Sequence, residues 1–404
     1  MSPTLDEVRA LESQHVLGTY KRQPVLFVRG DGVRLFDADG KAYLDLLSGI
    51  GVASRGHNDP ELTRAIIDQA STLMHVSNLY YHPLQGEAAQ RLSALSGLSR
   101  TFFCNSGTEA VEACLKFARR YWYTKQDAGR THYVSVKGGF SGRTMGALSV
   151  TSDPHYREPF EPLIPGVTFV SASDPAELLA AVTDKTAAII AEPIQGEGGI
   201  RPMSQAFADA INEACRRTGT LYIADEVQTG LGRTGFPFYF QALGLQPDLI
   251  SVGKALGGGV PIGAALVSER VAETIFPGDH GTTYGGNLLA CRAAIVVLDQ
   301  LTSGNLLDQV RTIGEHFEQR LQALATKHPV VTELRGVGLM RGLEVKVDAA
   351  LVVDEARNRG LLVNRTNEKV VRMLPPLTIS IADLDAAMDI LDAALGAVDQ
   401  GAQA

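Results

Sequence analysis

The chain has 404 residues, 45% of them apolar and 20% charged, the balance of an ordinary globular protein able to bury a large core. Its 37 basic residues against 45 acidic ones leave a net charge of -8 with no basic block, which argues against a grip on nucleic acid or an anionic membrane surface. Met1 to Glu7 is acidic where a secretory leader is basic and then apolar, and no later apolar run is long enough to span a bilayer, so the cytoplasm is the expected compartment.

The N-terminal part alternates short strand-like runs with turns. Leu26 to Arg29 precedes Gly30-Asp31-Gly32, and Arg34-Leu35-Phe36 precedes a turn ending at Gly40. From about Glu61 helices and apolar strands alternate. Phe102-Phe103-Cys104, Ala187 to Ala191, Leu221 to Ala224, Leu249 to Val252 and Ala264 to Val267 are near-continuous apolar runs, as in strands buried on both faces of a mostly parallel sheet. Between them Ser204 to Arg217 has Phe207, Ile211 and Cys215 at helical spacing. The expected core is therefore α/β.

After about Leu301 long amphipathic helices, short strands (Gly342 to Val345, Leu361 to Val363) and a last helix from about Ala382 suggest a C-terminal α+β part, ending in a frayed Gln400 to Ala404 tail. The expected division is residues 1–55 as an N-terminal segment, 56–300 as a large domain and 301–404 as a C-terminal small domain. Cys104, Cys114, Cys215 and Cys291 lack Cys-x-x-Cys spacing and read as buried thiols. The histidines show no His-Glu-x-x-His pattern, so no metal site is expected.

Three local patterns carry chemistry. Asn105-Ser106-Gly107-Thr108 lies between a strand and a helix, where free backbone N–H groups and the positive helix end suit a phosphate; its plain alternative is a simple helix cap. Asp225-Glu226 follows a buried strand, at the end where open α/β sheets bind ligands, although a solvated loop carboxylate reads the same way. Lys254 follows another buried strand and is flanked by Gly253, Gly257, Gly258 and Gly259. Desolvation there would lower its pKa toward a neutral nucleophilic amine, whereas most lysines are merely solvated. Gly230 to Gly235 matches the dinucleotide fingerprint, but Phe236-Pro237-Phe238 follows where a helix must begin, and the match is rejected.

Five stretches occur in one order: Asn105 to Ala110, Glu192-Pro-Ile-Gln-Gly-Glu197, Asp225-Glu-Val-Gln228, Ser251-Val-Gly-Lys254 and Thr282-Thr-Tyr-Gly-Gly-Asn287. Together they resemble the class III (subgroup II) aminotransferases of pyridoxal-phosphate (PLP) fold type I over nearly the whole chain. The resemblance implies a mostly parallel seven-stranded sheet in a large domain and a smaller α+β domain built from both termini. It also implies a homodimer with a shared active site.

Within that resemblance Lys254 would hold PLP as a Schiff base and shuttle the proton, and Asp225 would pair with the pyridine nitrogen. Gln228 would bond the ring 3′ oxygen and Phe140 would stack on the ring. Ser106, Gly107 and Thr108 would take the phosphate, with Thr282 and Thr283 reaching it from the partner subunit. Relatives usually carry His or Trp after the stacking aromatic, where this chain has Ser141.

Arg143 resembles the arginine that grips the substrate carboxylate, a task suited to its planar fork. Glu197 and Arg372 resemble a switchable ion pair that lets one pocket accept an ω-amino donor and then 2-oxoglutarate. Thr101 to Ala110, Arg143 to Ser149 and Glu158 to Pro165 read most like acetylornithine aminotransferases, and Tyr20 resembles a tyrosine that assists carboxylate binding in ornithine-type relatives. Ornithine δ-aminotransferases have tyrosine at the position of Ile50, so an apolar Ile50 argues against free ornithine and for an acylated or simpler chain end. The implied reaction moves the δ-amino group of N-acetylornithine to 2-oxoglutarate, as in arginine biosynthesis. Succinyldiaminopimelate, carrier-linked lysine, 4-aminobutyrate and ornithine are the alternative donors, and a glutamate-1-semialdehyde-type aminomutase is the alternative reaction.

Overall fold

A computed structural model describes residues 3–403 of the chain. The expected apolar runs form one seven-stranded sheet, in the order Arg100–Cys104, Gly263–Val267, Leu249–Val252, Leu221–Asp225, Thr186–Ala191, His132–Val136, Val167–Val170. Gly263–Val267 runs antiparallel to both its neighbours, and the remaining pairings are parallel. Every residue of Thr186–Ala191, Leu221–Asp225, Leu249–Val252 and Gly263–Val267 is buried, which is why these stretches show no polar alternation.

Helix Gly107–Thr124 covers one face, with Val111, Cys114, Leu115 and Ala118 turned to the strands. Helix Gln205–Thr218 buries Phe207 and Ile211. It starts on a Ser204 cap and ends on left-handed Gly219. Gly230 to Gly235 is a turn that leads to a short 3₁₀ segment, Tyr239–Gln241, and not to a helix, so the dinucleotide match fails structurally as well.

The chain's two ends meet. Strands Phe27–Asp31, Arg34–Asp37 and Ala42–Asp45 form a sheet completed by Leu361–Leu362, which pairs parallel with Ala42–Asp45. A further sheet joins Val331–Val337, Met340–Val345, Val370–Met373 and Asn364–Arg365. Its strand Val370–Met373 is tied back to the N-terminal region by Leu374 N–H donating to Leu46 O at 2.6 Å.

Two expectations need correction. The tail is not frayed over its described length: helix Ile381–Gln403 continues through it, its buried face carrying Leu384, Met388, Leu391, Leu395 and Val398, while Ala404 lies outside the described residues. Cys104, Cys114 and Cys291 are buried thiols, but Cys215 is only partly buried, near the end of its helix.

Candidate active site

Five chain segments leave the carboxyl ends of parallel strands on the same side of the sheet: those after Cys104, Val136, Ala191, Asp225 and Val252. They enclose a cavity of about 250 Å³ lined by Gly107, Thr108, Phe140 to Arg143, Glu192, Glu197, Asp225, Val227, Gln228 and Lys254.

Asp225 is the last residue of its strand and is 3% exposed. In the parallel register it stands opposite Ser251, whose Oγ donates to Asp225 Oδ1 at 3.0 Å, while Val227 N–H donates to the same oxygen at 3.3 Å. Oδ2 thus keeps capacity for a further donor. Burial raises the carboxyl pKa; hydrogen bonds from Ser251, Val227 and the Ser141 hydroxyl, and the charge of Lys254, oppose that rise. Ser141, where the resemblance led one to expect His or Trp, lies in the cavity wall, its N–H donating to Thr151 Oγ1 at 3.0 Å. The adjacent Glu226 goes elsewhere: it accepts from Thr229 Oγ1 at 2.5 Å and Phe240 N–H at 2.7 Å, fixing the following loop.

Lys254 lies two residues beyond the neighbouring strand. Its φ of +42° is left-handed, a strained setting for a side chain with a Cβ. Burial, then the charge of Arg372, lowers its pKa from 10.5 to about 8, against the pull of Glu197, Glu192 and Asp225. A Cβ on Gly253 would come within 2.9 Å of Gly107 Cα, so glycine lets the lysine segment cross the helix start.

Ser106 caps helix Gly107–Thr124, accepting from Glu109 N–H at 3.3 Å, so the plain capping role is real. As first-turn residues Gly107 and Thr108 have no helical acceptor for their N–H groups. Thr108 Oγ1 also meets Thr144 Oγ1 at 2.9 Å and Arg143 N–H at 3.2 Å, joining the helix start to the Phe140 loop.

On the rim Arg372, 1% exposed, places Nη1 2.5 Å from Glu197 Oε1 and 3.3 Å from Gln228 Oε1, while its Nε bonds Asn364 at 3.1 Å. Arg143 has no ion-pair partner among the described residues. Its guanidinium lies 3.7 Å from the Tyr156 ring centroid and 5.4 Å from that of Phe140.

The cavity thus gathers eight of the expected site residues, and Arg372 reaches it through Glu197 and Gln228. Ser106, Tyr20 (79% exposed), Ile50 (37%), Thr282 and Thr283 do not line it. Thr282 Oγ1 instead accepts from Gly285 N–H and Asn105 Nδ2. Sequence reasoning left Glu192, Ser141 and Val227 without a place in the cavity. The signal for Glu192 was available, since it opens the Glu192 to Glu197 signature directly after a buried strand.

A buried lysine of lowered pKa, a buried carboxyl, an aromatic ring and a helix start with free N–H groups form a donor set that fits PLP. The description "Aminotransferase class-III" matches residues 18–395. The chain is 46% identical over 380 residues to the acetylornithine aminotransferase of Archaeoglobus fulgidus, covering 94% of this chain and 98% of that one. An ornithine aminotransferase structure from Toxoplasma gondii superposes with TM-score 0.95 at 31% identity, covering 99% of this chain and 97% of that one. A PLP-bound amine transaminase from an uncultivated Pseudomonas species gives 0.87 at 31% identity, covering 94% and 96%.

Proposed function

The chain belongs to the class III aminotransferases, and from that premise we propose that this PLP-dependent enzyme transfers the δ-amino group of N-acetylornithine to 2-oxoglutarate. The observation that carries the reading is one cavity holding Lys254 and Asp225 with the Glu197–Arg372 ion pair at its rim. The name borne by the Archaeoglobus fulgidus relative supports the choice of donor.

Bound in the cavity, PLP supplies an electron sink for charge developing at the amine-bearing carbon. Asp225 would hold the cofactor's ring nitrogen, its carboxylate accepting from the ring N–H, and burial would strengthen that hydrogen bond. Lys254 Nζ, whose pKa lowered to about 8 leaves much of it neutral there, would hold the cofactor and move the proton to and from the substrate carbon. Phe140 would stack on the ring, Gln228 would bond the ring oxygen, and Ser106, Gly107 and Thr108 would hold the phosphate.

Arg143, free of a carboxylate partner among the described residues, takes the donor's α-carboxylate with help from Tyr20. Ile50 accommodates the acylated end. Glu197 neutralises Arg372 while the donor is bound and swings aside when the second carboxylate of 2-oxoglutarate arrives. A homodimer, in which Thr282 and Thr283 approach the partner's phosphate site, fits their position outside this chain's own cavity. The four free thiols suit the reducing cytoplasm.

The test mixes PLP-loaded protein separately with N-acetylornithine, ornithine, succinyldiaminopimelate and 4-aminobutyrate, following loss of the cofactor's visible band. Fastest conversion with N-acetylornithine is expected; preference for another donor overturns the substrate assignment. Turnover without any amino acceptor would indicate an aminomutase.

A further inference from the structure

We propose that Glu192 is a positioning residue that pins the ring-stacking Phe140 and the Glu197 switch to one strand end, so that the switch moves without disturbing the bound cofactor. Glu192 follows strand Thr186–Ala191 directly and lines the cavity. Its Oε1 accepts Phe140 N–H at 2.9 Å and its Oε2 accepts Gly196 N–H at 2.9 Å. One carboxylate thereby holds the residue that covers the ring and the residue immediately before Glu197.

The surrounding loops are stitched in the same sense. Gln195 Nε2 donates to Lys137 O at 2.8 Å, and a Cβ on Gly198 would lie 2.5 Å from Gly138 O, so segments 137–140 and 195–198 run backbone against backbone. Gly196 is equally constrained, since a Cβ there would meet Gln228 Oε1 at 2.4 Å. With the backbone fixed at Gly196, release of Arg372 is confined to the Glu197 side chain, about a third exposed at 34% and so able to move into solvent.

A carboxyl group suits both bonds: burial and then the charge of Asp225 push its pKa up to about 8 against the pull of these two N–H donors, and in either protonation state each oxygen can still accept. Two backbone N–H groups face the two oxygens, so the amide of glutamine must oppose one of them with its own N–H. This inference rests on the cavity being the PLP site, not on which donor is used.

The test uses the full chain freed of PLP, with Glu192→Gln and Glu192→Ala, titrating PLP and recording the visible dichroism of the bound cofactor. Loss of one of the two hydrogen bonds predicts a Kd for PLP raised roughly tenfold in Glu192→Gln, more in Glu192→Ala, with reduced dichroism because the ring is held less firmly. The ratio of donor to acceptor half-reaction rates also shifts, whereas a merely structural role lowers thermal stability and leaves that ratio and the dichroism unchanged. Wild-type Kd and dichroism in either folded variant overturn the proposal. If neither variant folds, amide hydrogen exchange in the wild type decides: slow exchange at Phe140 and Gly196 N–H sustains it, and fast exchange at both overturns it. A wild-type chain that takes up no PLP instead sinks the functional reading on which this inference rests.

Discussion

The Lys254–Asp225 end of the cavity and its Glu197–Arg372 rim contain similar charges held in different ways. Asp225 and Lys254 sit at or just past the ends of neighbouring parallel strands, so backbone register places them, and Ser251, paired with Asp225 in that register, supplies its hydrogen bond. Glu197 and Arg372 come from segments 175 residues apart and meet only through their side chains. The first pair is fixed by the sheet and shifted by burial; the second is fixed by charge and has solvent on one side. Fixed geometry suits bond chemistry, and a movable ion pair suits a choice between substrates.

Removing groups from the strand ends should cost most. Lys254→Ala is expected to lower turnover by about 10³-fold or more and to abolish the covalent cofactor band; residual transamination near wild type, measured in the coupled assay, would sink the assignment. Asp225→Asn should cost on the order of 10²-fold in kcat with little change in KM, because the amide no longer favours a protonated ring nitrogen. Steady-state kinetics with the cofactor saturated checks this.

Effects at the rim should be smaller and fall on recognition. Arg143→Ala should raise KM for the carboxylate-bearing donor roughly 30-fold, the value of about 2 kcal/mol for a charged hydrogen bond, while kcat changes little. The lowered Lys254 pKa gives a pH signature. Its reactive form is the neutral amine, present above about pH 8, so capture of PLP by cofactor-free protein should accelerate about tenfold per unit up to pH 8 and then level off. A rate still rising steeply past pH 9.5 would contradict that environment. Glu197→Ala should change the ratio of kcat/KM for donor and acceptor only about fivefold, since a carboxylate one-third exposed is screened by solvent; an unchanged ratio refutes the switch.

Much of this was legible in the chain. Continuous apolar runs marked the buried strands because neither face of the sheet meets water, and the strand-end positions of Asp225 and Lys254 followed from those runs. Capping by Ser106 and rejection of the Gly230 to Gly235 match could also be read locally, since helix starts and turns depend on neighbours in sequence. The position of Glu192 was legible, directly after a buried strand and at the head of its signature, but its two bonds were not, because they go to backbone N–H groups that no side-chain pattern announces.

The sequence by itself determined the strands, the residues at their ends and the family, because these depend on short-range periodicity and on ordered motifs. Only the tertiary structure decided that Glu226 turns away to Phe240 N–H, that Ser141 joins the cavity wall, and that one Glu192 carboxyl bonds both Phe140 and Gly196. Those outcomes depend on partners far along the chain. Burial and hydrogen-bond satisfaction, which settle them, are properties of the packed molecule.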